Sequence, residues 1–254
     1  TRPLCASRLE RQRYQGVNAL KPALLLIPGM LNDASVWQHV LPLLPPTWTV
    51  RIADVLTQDS IADMAADAWK LMADLDKDQP LIVAGFSMGG YVAIDMLAHD
   101  SGRIHAAALL STSVLPETQE SRVIREKTIA AMQANFPKVV DGILKFNTHE
   151  APQAVIDELR EMQLKIGSEK AVRQIQALMG RTDHRAKLST LRLPVALMCG
   201  EHDRVTPPEL TRHIQACMPH ASTTWVPTGH MLPVQTPYAV AQCLISLWES
   251  TLSS

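Results

Sequence analysis

The stretch Leu81 to Phe86 is continuously apolar, closes on Ser87, and passes at once into Met88-Gly89-Gly90 and a helical pattern running to His99. A buried strand that becomes a helix within one residue needs a very sharp turn. Gly85-Phe86-Ser87-Met88-Gly89 supplies it, as a G-x-S-x-G pattern in a strand–turn–helix setting. Side chains at positions 85 and 89 would run into neighbouring backbone, so both are glycine. Ser87 itself is expected in a strained conformation, with its hydroxyl lifted clear of the sheet.

The rest of the chain fits a fold built around such a strand. Further short apolar runs are Ala23–Ile27, Ala106–Leu110, Val195–Cys199 and Thr223–Val226, and Thr49–Ala53 alternates loosely before Asp54. Runs of this length suit strands buried on both faces, the mark of a parallel sheet. Helical patterns lie between them at Ile61–Leu75, Met88–His99, Pro208–Cys217 and Pro237–Leu252. The alternation predicts an α/β chain with a mostly parallel, doubly wound sheet. One stretch interrupts the rhythm. Residues 117–188 carry four helical patterns (Glu117–Asn135, Lys138–Phe146, Ala151–Ile166 and Ser168–Met179), broken at Pro137, Pro152 and Gly167, with no strand among them. This predicts one domain over residues 1–254 with an all-helical cap, 117–188, inserted within it. The first 20 residues are polar and weakly patterned.

Composition excludes several classes. With 46% hydrophobic residues the chain is not disordered. Its 24 basic and 25 acidic residues leave a net charge of -1, so no basic excess marks a nucleic-acid partner. No apolar run approaches the roughly 20 residues that span a bilayer, so no membrane insertion is expected. Cys5, Cys199, Cys217 and Cys243 form no C-x-x-C pair, and no metal-ligand cluster, phosphate loop or dinucleotide fingerprint stands out. Free cysteines and the lack of a charged-then-apolar leader pattern point to the cytoplasm. No cofactor is implied.

A serine hydroxyl is a weak nucleophile until a base takes its proton and an acid orients that base. Two later loops offer such groups, each directly after a predicted strand. Gly200-Glu201-His202-Asp203-Arg204-Val205-Thr206-Pro207 follows Val195–Cys199, and Pro227-Thr228-Gly229-His230-Met231 follows Thr223–Val226. Both belong at the end of the sheet where Ser87 is expected, which is where open α/β sheets bind ligands. Glu201, Asp203 and, at another strand end, Asp54 are candidate acids. His202 and His230 are candidate bases, and His149 and His184 lie in or beside the cap. The amide of Met88, after the serine and at a helix N-terminus, is one candidate donor to an oxyanion.

With Leu24-Leu25-Leu26-Ile27-Pro28-Gly29, Ser35-Val36-Trp37, Gly85–Gly90, Gly200–Pro207 and Gly229-His230, the chain resembles the α/β-hydrolase fold family, in particular its small esterases with a helical cap. The pieces span residues 24–230. The resemblance implies Ser87 as nucleophile, Asp203 as acid through the G-x-x-D-x-x-x-P spacing, and His230 as base. It implies a second oxyanion donor in the amide of Met30. The family often carries His-Gly where this chain has Pro28-Gly29. Met30 and Met88 are expected to present their side chains to the pocket, Met231 is expected to touch substrate, and Trp37 to pack the loop. Arg181, Asp183 and Arg185 are expected in an ion-pair network where the cap returns to the sheet. The implied activity is cleavage of a small or medium carboxylic ester through an acyl-enzyme. A lactonase, thioesterase or carbon–carbon bond hydrolase would use the same groups, and a small-molecule receptor with slow or no turnover is the reading from another class.

Overall fold

The computed structural model describes residues 21–252; the weakly patterned N-terminal segment and Cys5 lie outside them. Six strands form one sheet: β1 (Ala23–Ile27), β2 (Thr49–Ile52), β3 (Leu81–Phe86), β4 (Ile104–Leu110), β5 (Val195–Gly200) and β6 (Ser222–Val226). Their spatial order is β2-β1-β3-β4-β5-β6, and every pair is parallel. The helices are α1 (Ile61–Leu71), α2 (Met88–His99), α3 (Gln119–Asn147), α4 (Gln153–Ile166), α5 (Ser168–Met179), α6 (Arg185–Leu188), α7 (Pro208–Cys217), α8 (Leu232–Gln235) and α9 (Pro237–Thr251).

The four inner strands β1, β3, β4 and β5 are buried because both faces of the sheet are covered there, and their side chains alternate between two apolar clusters, whereas the edge strand β6 leaves Ser222 and Thr224 exposed. Leu81 and Val83 face α1, α2 and α7, where Met64, Ala68, Val92, Met96 and Ile214 pack. Ile82, Ala84 and Phe86 face the other way, towards Val240, Leu244 and Trp248 of α9. That second cluster continues into the helical segment through Met132, Leu144, Leu159 and Ile175. At the open edge, β2 is only half-buried. Arg51 there pairs with Asp74 and donates to the carbonyl of Leu71. That carbonyl contact lies where α1 stops, four residues short of the predicted Leu75.

Residues 119–188 contain four helices and no strand. The two predicted helices on either side of Pro137 are joined in α3, which kinks at Asn135 (φ −156°, ψ 83°). Pro137 cannot donate to the helix ladder, and the Asn135 side chain accepts from the Lys138 amide to start the second half. β4 begins two residues before the predicted run because exposed His105 interrupts its apolar pattern. The short helices α6 and α8 carry too little periodicity to be read from the chain.

The winding direction reverses between β1 and β3. From β1 the chain moves out to β2, then returns to place β3 on the opposite side of β1. The loops after β1 and β3 therefore diverge from a crevice at the carboxyl edge of the sheet, the switch point where α/β sheets bind ligands. Gly29-Met30 leaves from β1, and Ser87 leaves from β3.

Candidate active site

Ser87 stands between β3 and α2 with φ 53° and ψ −116°, in the left-handed half of backbone space that a serine rarely enters. The surrounding backbone holds it there. Its amide donates to the carbonyl of Leu110 (2.9 Å), and its carbonyl accepts from the Gly90 amide (2.9 Å) and the Thr112 hydroxyl (2.7 Å). A Cβ at position 89 would lie 2.2 Å from the carbonyl oxygen of Ile27, and one at 85 would lie 2.2 Å from that of Gly89. The start of α2 is thus seated directly on the end of β1, and only glycine permits the approach.

Two loops from the far side of the sheet meet this serine. His230 is buried, with its amide donating to the carbonyl of Asn147 at the end of α3 (2.7 Å). Its ring lies 5.2 Å from that of Phe86, which in turn packs edge-on against buried Trp37. His230 Nε2 is 2.8 Å from Ser87 Oγ, and Nδ1 is 2.8 Å from Asp203 Oδ2. Asp203 Oδ1 accepts from the amides of Val205 (2.8 Å) and Thr206 (2.9 Å), and Oδ2 also accepts from the Thr206 hydroxyl (2.8 Å).

The electrostatics assign the imidazole its roles. Burial alone pushes the Asp203 carboxyl up. The charge of His230, its hydrogen bond, and the amide and hydroxyl of Thr206 outweigh burial and hold it below the usual carboxylate range. An ionised carboxylate only accepts, so Nδ1 carries a proton, and in the neutral ring Nε2 then presents its lone pair to the serine hydroxyl. The arrangement can draw a proton from Ser87 and stabilise the imidazolium that results.

The other candidates lie elsewhere. Glu201, His202 and Asp54 are exposed and outside this chain of hydrogen bonds. His202 stacks on His149 at 3.8 Å between ring centroids. His184 pairs with Asp95, on the far part of α2. Arg185 binds Asp183 as the local spacing suggests, but Arg181 does not join them. It pairs with Glu117, whose side chain is 7% exposed and which Arg125 also contacts (3.1 Å), so the two ends of the helical segment are tied together. The Met88 side chain is buried in the core beneath the site, Met231 is 1% exposed and belongs to the same core as Phe86, and Met30 is half-buried. Met88 and Met231 therefore present packing, not open surface, to the crevice.

Gln174 is the residue that sequence reasoning missed. It is fully buried on α5, within the helical segment. Its Oε1 accepts from the Leu31 amide (2.9 Å) and its Nε2 donates to the Val55 carbonyl (2.9 Å). Leu31 has a positive φ of 59° and follows Met30, whose carbonyl accepts from Asn32 Nδ2 (2.7 Å). Gly29, just before, lies against Ser87: a Cβ there would be 3.1 Å from the serine Cβ. The helical segment thus holds the loop beside the serine in shape. A glutamine within a helix, 143 residues from its partner, gives no signal of this in the sequence. Thr206, which binds both Asp203 and His230 (3.3 Å to Nδ1), is likewise visible only in the fold.

Comparison with known proteins matches residues 54–229 to the profile of the Hydrolase_4 family, described as serine aminopeptidase, S33. A similar curated protein is the pimeloyl-[acyl-carrier protein] methyl ester esterase of Neisseria meningitidis, 24% identical over 221 residues, which are 82% of this chain and 84% of the relative. Among solved structures, an esterase from Thermogutta terrifontis superposes with a TM-score of 0.81 at 21% identity, covering 92% of each chain. The enol-lactonase of Burkholderia xenovorans LB400 gives 0.79 at 19% identity, over 91% of this chain and 93% of its own.

Proposed function

The chain belongs to the Hydrolase_4 (serine aminopeptidase, S33) family of α/β-hydrolases, and from that membership we propose that it cleaves a small or medium carboxylic ester through an acyl-enzyme on Ser87. The observation that carries the reading is the unbroken path from Ser87 Oγ through the His230 ring to Asp203, with both hydrogen bonds at 2.8 Å. Ser87 attacks the ester carbonyl while His230 Nε2 takes its proton. Asp203 keeps the ring oriented and balances its charge. The amides of Met88, at the start of α2, and Met30 receive the oxygen that becomes negative. His230 then protonates the departing alcohol. A water deprotonated by the same nitrogen releases the acid and restores the serine.

Residues 117–188 act in this reading as a cap that closes one side of the crevice and limits access of water. Its contacts with the acid and base loops support that role: Arg204 donates to the carbonyls of Lys145 and Phe146, and His230 to that of Asn147. Among the described residues no helix is long and apolar enough to cross a membrane. Free Cys199, Cys217 and Cys243 favour action in the reducing cytoplasm. The likeness to a methyl ester esterase favours an ester over an amide as the bond cleaved.

The test is a panel of methyl and p-nitrophenyl esters of graded acyl length, with lactones and thioesters beside them. Multiple turnover is expected on the esters, and Ser87→Ala should fall by about 10³-fold or more in kcat while keeping its circular dichroism. Stoichiometric binding without turnover on every class would replace this reading with that of a receptor.

A further inference from the structure

Eight residues along α2 from Ser87, the helix buries a second carboxylate that the reaction does not use. Asp95 is 7% exposed, and carboxylates are seldom that buried unless they are paired. Among the described residues its charge partners are two imidazoles. His99, one turn further along α2, places Nδ1 3.3 Å from Asp95 Oδ1. His184, at the return of the helical segment to the sheet, places Nε2 3.0 Å from Oδ2. The two rings meet edge to face with centroids 5.4 Å apart. One ligand atom from each of the three residues lies within 4.8 Å of the others.

We propose that Asp95, His99 and His184 form a binding site for a zinc-class divalent cation. Three observations converge on it. Positions i and i+4 share one helix face, the spacing by which helices present pairs of metal ligands. The carboxylate lies between the two imidazoles, Oδ1 towards His99 and Oδ2 towards His184, and the three ligand atoms, within 4.8 Å of one another, need draw in only to the roughly 3.3–3.5 Å edges of tetrahedral zinc with nitrogen and oxygen ligands. Two imidazoles with one carboxylate select zinc and its transition-metal neighbours over magnesium and calcium, which take oxygen ligands. His99 Nδ1 also lies 2.9 Å from the Asp95 backbone carbonyl, a contact that ligation through Nδ1 replaces, with the ring in its Nε2–H tautomer. The His99 side chain is 66% exposed, which opens a path for the ion and leaves the fourth position to water.

The site is structural. Helical rise puts Asp95 about 12 Å along the axis from Ser87, out of reach of the reacting atoms. The ion joins α2, whose first residue follows the serine, to the loop where the helical segment ends. It is a staple at one corner of that segment. The chain itself gave no metal signal because His184 lies 89 residues from Asp95.

The experiment titrates the metal-free full chain with zinc chloride by calorimetry, with cobalt(II) as a spectroscopic substitute, and repeats both on His99→Gln and His184→Gln. The unaltered chain should take up one zinc, and cobalt should give the d–d bands of a nitrogen–oxygen site without thiolate charge transfer. Each variant should bind zinc at least about tenfold more weakly. At a hundredfold excess over the dissociation constant of the unaltered chain, zinc should raise its melting temperature by about 5 °C and that of each variant by no more than about half as much. His99 is exposed, so His99→Gln tests the site without threatening the fold. Absence of zinc uptake, uptake undiminished in both variants, or a cobalt–thiolate spectrum would overturn the proposal.

Discussion

The sheet and the helical segment hold their parts of the site by different physics. Around Ser87 the constraint is backbone against backbone: the end of β1, the turn after β3 and the first residues of α2 approach so closely that a single methyl group has no room. The segment 119–188 is held to the sheet by polar side chains set in apolar packing. Gln174 grips the loop beside the serine, Arg173 donates to the Thr57 carbonyl (2.9 Å), and Glu117 with Arg181 closes the segment's ends. Steric constraint of the first kind is all-or-none. Polar fastening of the second kind is graded and can be loosened one bond at a time. Ser87 sits on the rigid side, and the helical segment that borders it is held on the adjustable one.

The sharpest way to break the comparison is at the turn. Gly89→Ala should fail to accumulate as folded protein, or lose more than about 4 kcal/mol, since backbone and not a flexible side chain fills the space; expression with urea denaturation reads this. A folded Gly89→Ala of ordinary stability would show that the turn has slack. Next comes the buried ion cluster. Glu117→Ala removes the carboxylate that balances the Arg181 charge, where both side chains are less than 10% exposed, and should cost about 3 kcal/mol, the carbonyls of Leu115 and Leu178 remaining as partners. The loss should appear first as protease cleavage within residues 119–188, ahead of global unfolding.

Gln174→Ala tests the graded side of the comparison. It strips partners from the buried Leu31 amide and Val55 carbonyl, for a stability loss of about 1–3 kcal/mol. Because Leu31 adjoins the Met30 amide, kcat should fall by about tenfold with KM little changed, the mark of an interaction felt in the transition state. A change in KM alone would make Gln174 a packing residue only.

The smallest effect is in acid. Asp203 has a folded pKa below its unfolded value, so its contribution to stability is complete above the unfolded pKa of about 3.9. It disappears as pH falls through the lower folded pKa. Asp203→Asn should therefore be less stable than the unaltered chain at pH 7 and converge towards it below pH 4, measured by urea denaturation at pH 7, 5 and 3.5. A constant gap across that range would mean that the carboxylate is not favoured by its surroundings.

How much of this was legible in the chain follows from the same division. β1, β3 and β5 announce themselves because strands buried on both faces need unbroken apolar runs, and the turn at Ser87 needs glycine at fixed positions. Asp203 and His230 could be placed because each lies on the loop that follows a strand, so the sheet carries both to one edge, and the family resemblance chose them over Glu201 and His202. The three long helices of the segment were also readable, with Pro137, Pro152 and Gly167 as their breaks, though Pro137 proved to mark a kink within α3 and not a boundary. Their fastening was not. Gln174 with Leu31, Glu117 with Arg181 and Asp95 with His184 are contacts between residues 64 to 143 positions apart, and no local pattern encodes a partner at that range. The burial of Met88 and Met231 was missed for a related reason: proximity to a functional residue in sequence does not say which way a side chain points.

The central claim, an activated serine at the switch point of the α/β-hydrolase sheet, is tested most directly by intact-mass analysis after treatment with a fluorophosphonate probe, followed by peptide mapping. One adduct per chain, on Ser87, absent in Ser87→Ala and strongly slowed in His230→Ala, is the predicted result. A folded chain that takes no label, or takes it on another residue, would contradict the account.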